Sequence, residues 1–302
     1  MKKYNMLDIF KFILAFFVIG IHTLDESSQW LNILFDIAVP FYFISSSYLL
    51  FNKIKDMKKE DKLTNIKKYI LRMLYLYIIW LIIYSPITIY MYIKDDLYGI
   101  NLIIDIIKKL FLTGMIGTCY QLWYILYTIY SSIIIYIFIK KDININYLLI
   151  VAILLVIIGY FVKIDLIKYI ISNLGCGLLY MSLGNVFNKI KYNNTIVLFV
   201  LLIITYLLSI FASEYIKYLN PILLFMLVIN IKVKDNEVYK VLRKSSTLIY
   251  FIHLIILFMY DLINRYINIP INSFIIVSVI SLVCSLLIIS LSNKITFIKK
   301  IY

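Results

Sequence analysis

The chain has 302 residues, 63% of them hydrophobic, with a mean hydropathy of +0.94 and a formal net charge of +14. Apolar runs recur at a spacing that a water-soluble core could not bury, which excludes a soluble globular protein. The composition points to an all-α, polytopic membrane bundle occupying residues 1–302 as a single domain.

Ten membrane spans are expected, over residues 5–24, 31–51, 69–93, 118–139, 146–162, 168–187, 195–212, 218–231, 243–263 and 271–292. The first contains MLDIFKFILAFFVIGIH, an apolar helix that still carries Asp8, Lys11 and His22, and ionisable groups inside a span are costly enough to suggest function. Lys11 and His22 lie eleven residues apart, hence on nearly one helical face and about 16 Å apart along the axis. Ala15 and Val18 fall between them, small enough to leave a slot on that face. Two readings stand for each ionisable group. Lys11 either snorkels to the interface beside Asp8 or serves a ligand, and His22 is either a packed, hydrogen-bonded histidine or a reactive one. The stretch has no small-residue processing site after it, so no cleavable signal is expected.

Asp25 and Glu26 follow His22 closely enough for a carboxylate to orient or charge the imidazole. The second span reads FDIAVPFYFISSSYLL, with a kink expected at Pro40. Its serines either back-bond to helix carbonyls or face a cavity beside Tyr48. The two longest connections are 52–68, with seven lysines, and 94–117, whose NLIIDIIKKLF is amphipathic and expected to lie on the membrane surface or re-enter it.

With the N-terminus inside, 22 of the 30 basic residues fall on the inner side and seven on the outer, leaving Lys11 within the first span. This bias, repeated loop by loop, places both termini in the cytoplasm. The sixteen carboxylates divide seven inner and nine outer, so the excess positive charge belongs to the inner face, where anionic headgroups or a phosphorylated cofactor would meet it. Nucleic acid is not needed to explain it. Cys119, Cys176 and Cys284 show no ligand spacing, and only two histidines are present, so no metal site is expected. There is no phosphate-cradling glycine loop for ATP-driven transport. The 28 tyrosines, alongside abundant Ile, Asn and Lys, fit AT-rich coding and signal function only inside a motif.

LDIFKF, the ten residues separating Lys11 from His22, and AVPFYFISSSYLL together resemble the opening of the acyltransferase-3 family of integral membrane acyltransferases, which modify surface glycans, peptidoglycan and exported small molecules. The opening is most similar to the branch that includes the membrane half of the vancomycin-resistance serine racemase. The resemblance continues at LRMLYLYIIW, with Arg72 and Trp80, at YQLWYILYTIY, at Gly184 and at SSTLIYFIH. Four departures accompany it. Lys11 stands where arginine is usual, Gln121 where histidine is common, Ser47 where glycine is usual, and Asp36 where many relatives carry arginine.

The resemblance implies an acyl-CoA donor, acetyl-CoA being the expected one, and an acceptor hydroxyl or amine on a surface glycan or envelope precursor at the plasma membrane. It implies His22 as general base with His253 in support, and donor phosphates on Lys11, Arg72, Lys67 and Lys68. Asp25, Glu26, Asp36, Ser46, Tyr48, Gln121, Trp123, Tyr124 and Tyr250 are the implied substrate contacts, although Trp123 and Tyr124 also suit an interfacial aromatic belt. Membrane lipids are expected partners, and homo-oligomerisation is left open. The competing reading is an exporter, flippase or amino-acid carrier, since a charged, histidine-lined helix pair serves transport equally well.

Overall fold

The computed structural model describes residues 4–24, 28–95, 98–190, 194–292 and 294–302. Among them every regular element is helical. Seven helices are long and apolar enough to cross a membrane, counting the broken segment Gln29–Ile54 as one, and two further apolar helices are shorter. The chain gathers into two compact units, one made of Met1–Tyr42 with Tyr192–Tyr302 and the other of Phe43–Lys191.

In the first unit, α1 (Asn5–Thr23) packs against α11 (Val238–Asn264) and α12 (Ser273–Ser292). Ala15 and Ile19 of α1 are fully buried with Ile249 and Val277, flanked by Phe12, Phe16 and Phe274. The slot expected beside Ala15 is therefore filled, because its missing volume is taken up by branched side chains from the two neighbouring helices. At one end Asn5 donates to Asp235 at 2.7 Å. Asp8 pairs at 3.5 Å with Arg243 of α11, a partner the sequence does not announce.

The second expected span is two helices, α2 (Gln29–Phe35) and α3 (Ala38–Ile54), parted at Asp36–Ile37. Proline lacks an N–H and its ring clashes with the carbonyl four residues back, so Pro40 breaks the helix at Asp36 instead of kinking it in place. Nearby, α9 (Thr195–Phe211) packs on α10 (Asn220–Asn230) and on α2, and Tyr206 donates to the Trp30 carbonyl at 2.8 Å.

In the second unit, α4 (Lys59–Lys94) has 36 residues, about 54 Å of helix, well beyond a bilayer core of roughly 30 Å. Most of the lysine-rich 52–68 connection is thus helix and not loop. Lysine is a good helix former, and its charge keeps it out of the bilayer without keeping it out of a helix. Pro86 lies inside α4 and removes the donor to the Ile82 carbonyl, which accepts instead from the Ser85 hydroxyl at 2.8 Å.

The amphipathic segment forms α5 (Gly99–Lys108), continued by a π-turn over Lys109–Thr113. A helix end leaves carbonyls without intrahelical donors. Here four consecutive carbonyls receive tyrosine hydroxyls: Leu110 from Tyr77 at 2.7 Å, Phe111 from Tyr130 at 2.5 Å, Leu112 from Tyr127 at 2.7 Å and Thr113 from Tyr169 at 3.3 Å. The donors come from α4, α6 (Leu122–Lys140) and α8 (Asp165–Lys189). The segment therefore ends among the helices of the second unit. Asp105, on α5, binds Lys109 and the Tyr92 hydroxyl, each at 2.8 Å.

Glycine sets the remaining approach distances. α7 (Tyr147–Phe161) and α8 form a hairpin in which a Cβ at Gly175 would meet the Val156 nitrogen at 2.9 Å. A Cβ at Gly184 of α8 would collide with the Ser47 hydroxyl and meet the Tyr48 nitrogen at 2.6 Å, so α3 and α8 touch backbone to backbone.

Candidate functional site

The two histidines, 231 positions apart in the chain, lie side by side in the first unit with ring centroids 5.4 Å apart. α1 presents His22 in its last turn, half-buried, and α11 presents His253, fully buried. His253 Nδ1 lies 3.2 Å from the Ile249 carbonyl. A carbonyl can only accept, so Nδ1 carries the proton and Nε2 keeps its lone pair. Nε2 is buried and has no hydrogen-bond partner among the described residues. The arrangement thus offers one histidine reachable from outside the core and one sealed behind it with an acceptor nitrogen to spare.

Aromatic rings lead away from this pair along the same unit. Tyr250, three residues before His253 on α11, has its ring centroid 6.3 Å from that imidazole, and Tyr42 lies 6.1 Å from Tyr250. The Tyr42 hydroxyl in turn donates to the Lys11 carbonyl at 2.6 Å. Both ends of the α1 stripe, Lys11 and His22, are thereby joined through Tyr42, Tyr250 and His253. Sequence reading missed Tyr42 and Arg243, the first as one of 28 tyrosines and the second as one more basic residue near a span end. Asp25 and Glu26 lie outside the described residues.

Asp36 sits at the break between α2 and α3 and forms a 2.9 Å ion pair with Lys217. Burial pulls the Lys217 ammonium down, but the Asp36 hydrogen bond and charge, with Tyr218 and Glu214 nearby, outweigh it and raise it above its ordinary value. The charge inversion relative to the family pattern is therefore answered within the protein by a cation.

The second unit holds the other expected contacts. Gln121 is buried and its amide donates to the Tyr84 hydroxyl at 2.8 Å, with Tyr84 beside Trp80. Trp123 and Tyr124 both turn onto Phe43, the latter with centroids 4.6 Å apart. Ser46 and Ser47 donate to the Phe43 and Ile44 carbonyls, each at 3.1 Å. Those bonds follow the back-bonding alternative. Tyr48 is buried, and its carbonyl accepts from Asn188 at 3.0 Å. Lys67, Lys68 and Arg72 lie exposed along α4 with no ion pair among the described residues.

Multiple helices long and apolar enough to cross a membrane mark a multi-pass membrane protein, two of whose helices bring its histidines together. A family profile described as an acyltransferase domain matches residues 4–290, and the chain belongs to that family, acyltransferase-3. Two curated relatives, both amino-acid racemases of Enterococcus faecalis, are 33% identical over 132 residues and 26% identical over 127. The matched stretches cover 41% and 40% of this chain but only 17% of either relative. No solved structure matches.

Proposed function

We propose that the protein transfers an acyl group, acetyl being the expected one, from cytoplasmic acyl-CoA to a hydroxyl of a surface glycan or envelope precursor at the plasma membrane. Ten crossings with both termini cytoplasmic are part of this reading, supported by the lysine bias of the sequence. The observation that carries it is the half-buried His22 beside the sealed His253, in a chain of the acyltransferase-3 family.

In the proposed step a neutral His22 takes the acceptor's hydroxyl proton as that oxygen attacks the thioester carbonyl. The ester bond forms, the carbon–sulfur bond breaks, and the proton passes from the imidazolium to the leaving thiolate. Such a positioned base contributes roughly 10²–10⁴-fold. His253 acts by position: its Nε2 lone pair, without a hydrogen-bond partner among the described residues, is the acceptor this reading assigns to one His22 N–H in the reacting complex, which would fix the tautomer that leaves the other His22 nitrogen as base. Donor phosphates are assigned to Arg72, Lys67 and Lys68, exposed cations of the second unit with no ion pair among the described residues.

The competing reading is a non-catalytic exporter, flippase or amino-acid carrier, since a histidine-lined helix pair serves transport equally well. A non-catalytic carrier of amino acids would use the same histidines as a relay. Purified protein given acetyl-CoA separates the two: the enzyme binds it and releases free thiol, and a carrier does neither.

A further inference from the structure

A cavity of about 540 Å³ opens within the second unit, between the end of α3, the start of α4 and the ends of α6 and α8. Four lysines line it, Lys55, Lys59, Lys62 and Lys189. Lys59 is answered by Asp142, whose backbone is left-handed at φ 57°, and Lys189 donates to Asn146 at 3.3 Å. Lys55 and Lys62 have no ion-pair partner among the described residues. Asn185 also faces the cavity, 8% exposed and without a hydrogen-bond partner among the described residues. An amide that faces a cavity with no protein partner is available to hydrogen-bond a ligand there.

Lys59 and Lys62 are the first and fourth residues of α4, which has no side-chain cap at its start. Glu60 and Asp61 of the same turn complement the helix dipole, but no side chain caps its N–H groups, which remain suited to a further negative charge. A bound anion would offset both the lysine crowding and the missing cap. The volume falls in the range of small-ligand sites.

We propose that this cavity binds a phosphate ester, held by Lys55 and Lys62 with a hydrogen bond from the Asn185 amide. Neither the histidine pair nor Lys67, Lys68 and Arg72 takes part, so the site stands or falls apart from acyl transfer. The phosphate comes either from a soluble ligand or from an anionic lipid headgroup, and the test separates them.

Inorganic pyrophosphate is titrated calorimetrically into the purified full chain in zwitterionic detergent, and retention of phosphatidylglycerol is counted by native mass spectrometry. Each lysine removed should weaken binding about tenfold, in line with a charge-assisted hydrogen bond. Lys55→Gln with Lys62→Gln should therefore lose about a hundredfold. Asn185→Asp, which keeps size and reverses polarity, should lose at least tenfold, while Lys163→Gln with Lys168→Gln, both exposed and away from the cavity lining, should change nothing. Pyrophosphate binding with this pattern supports a soluble ligand. Phosphatidylglycerol retention with this pattern and no pyrophosphate binding supports a headgroup. Absence of both, or binding indifferent to Lys55 and Lys62 in folded protein, overturns the proposal.

Discussion

Replacing Gly184 with alanine tests the closest contact in the second unit. The added Cβ would strike the Ser47 hydroxyl and meet two backbone atoms, the Tyr48 nitrogen at 2.6 Å and the Ile44 carbonyl oxygen at 2.9 Å. A serine can rotate, but helix backbone cannot yield without moving α3 from α8. Asn188 ties the same place, donating to the carbonyls of Tyr48 and Gly184 at 3.0 and 2.9 Å. Overpacking costs about 1–3 kcal/mol, and backbone contact puts this site at the upper end. A loss of about 3 kcal/mol is roughly 150-fold in the folded-to-unfolded ratio. The assay is the thermal midpoint and yield of folded protein by detergent gel filtration. Ser47→Gly combined with Gly184→Ala should recover only the hydroxyl part, about 1 kcal/mol. Gly99→Ala, in open space at φ +64°, should cost only the left-handed backbone penalty of about 1–2 kcal/mol. A wild-type midpoint for Gly184→Ala would refute the backbone contact between α3 and α8.

Tyr127→Phe removes the donor to the Leu112 carbonyl in the half-buried π-turn, and should lower stability by about 1 kcal/mol in a thermal assay. Asp36→Asn removes the partner of Lys217, a half-exposed pair worth at most about 1 kcal/mol. Because Lys217 is held above its ordinary value, that contribution is present below about pH 10.5 and is lost as pH rises through the folded value, so wild type and Asp36→Asn should converge in alkali. For topology, single cysteines placed in 94–117 should label from outside intact cells while those in 52–68 stay silent; the reverse would overturn the assignment of sides.

Hydropathy made the apolar helices legible, because length and apolar composition are local properties. Element boundaries were less so. Pro40 marked a disruption, but the break falls at Asp36–Ile37, four residues earlier, where the lost hydrogen bond lies. In the sequence the lysines of 52–68 read as topogenic charge, with Lys67 and Lys68 as donor contacts, which hides the first ten residues of α4, the pairing of Lys59 with Asp142, and the cavity lined by Lys55 and Lys62. Arg243 was hidden in the same way, since nothing local announces that its partner is Asp8. The tyrosines that cap Leu110 to Thr113 could not be told from compositional background, because the carbonyls they serve lie 15 to 56 residues away. His22 and His253 each stood in a motif, but one sequence contains no measure of their separation. Their adjacency is a property of the packing of α1 on α11.

The central claim is that His22 moves the proton in acyl transfer, and His22→Gln tests it most directly, with acetyl-CoA affinity and folded protein in the membrane measured alongside. Glutamine keeps the size and a hydrogen bond but cannot act as base, so transfer should fall by at least about 10²-fold with donor affinity unchanged. His253→Gln should cost less, about tenfold or under, because an orienting hydrogen bond is worth roughly 1 kcal/mol. Undiminished transfer by the His22→Gln protein would contradict the mechanism, and loss of folded protein together with donor binding would make His22 a structural residue.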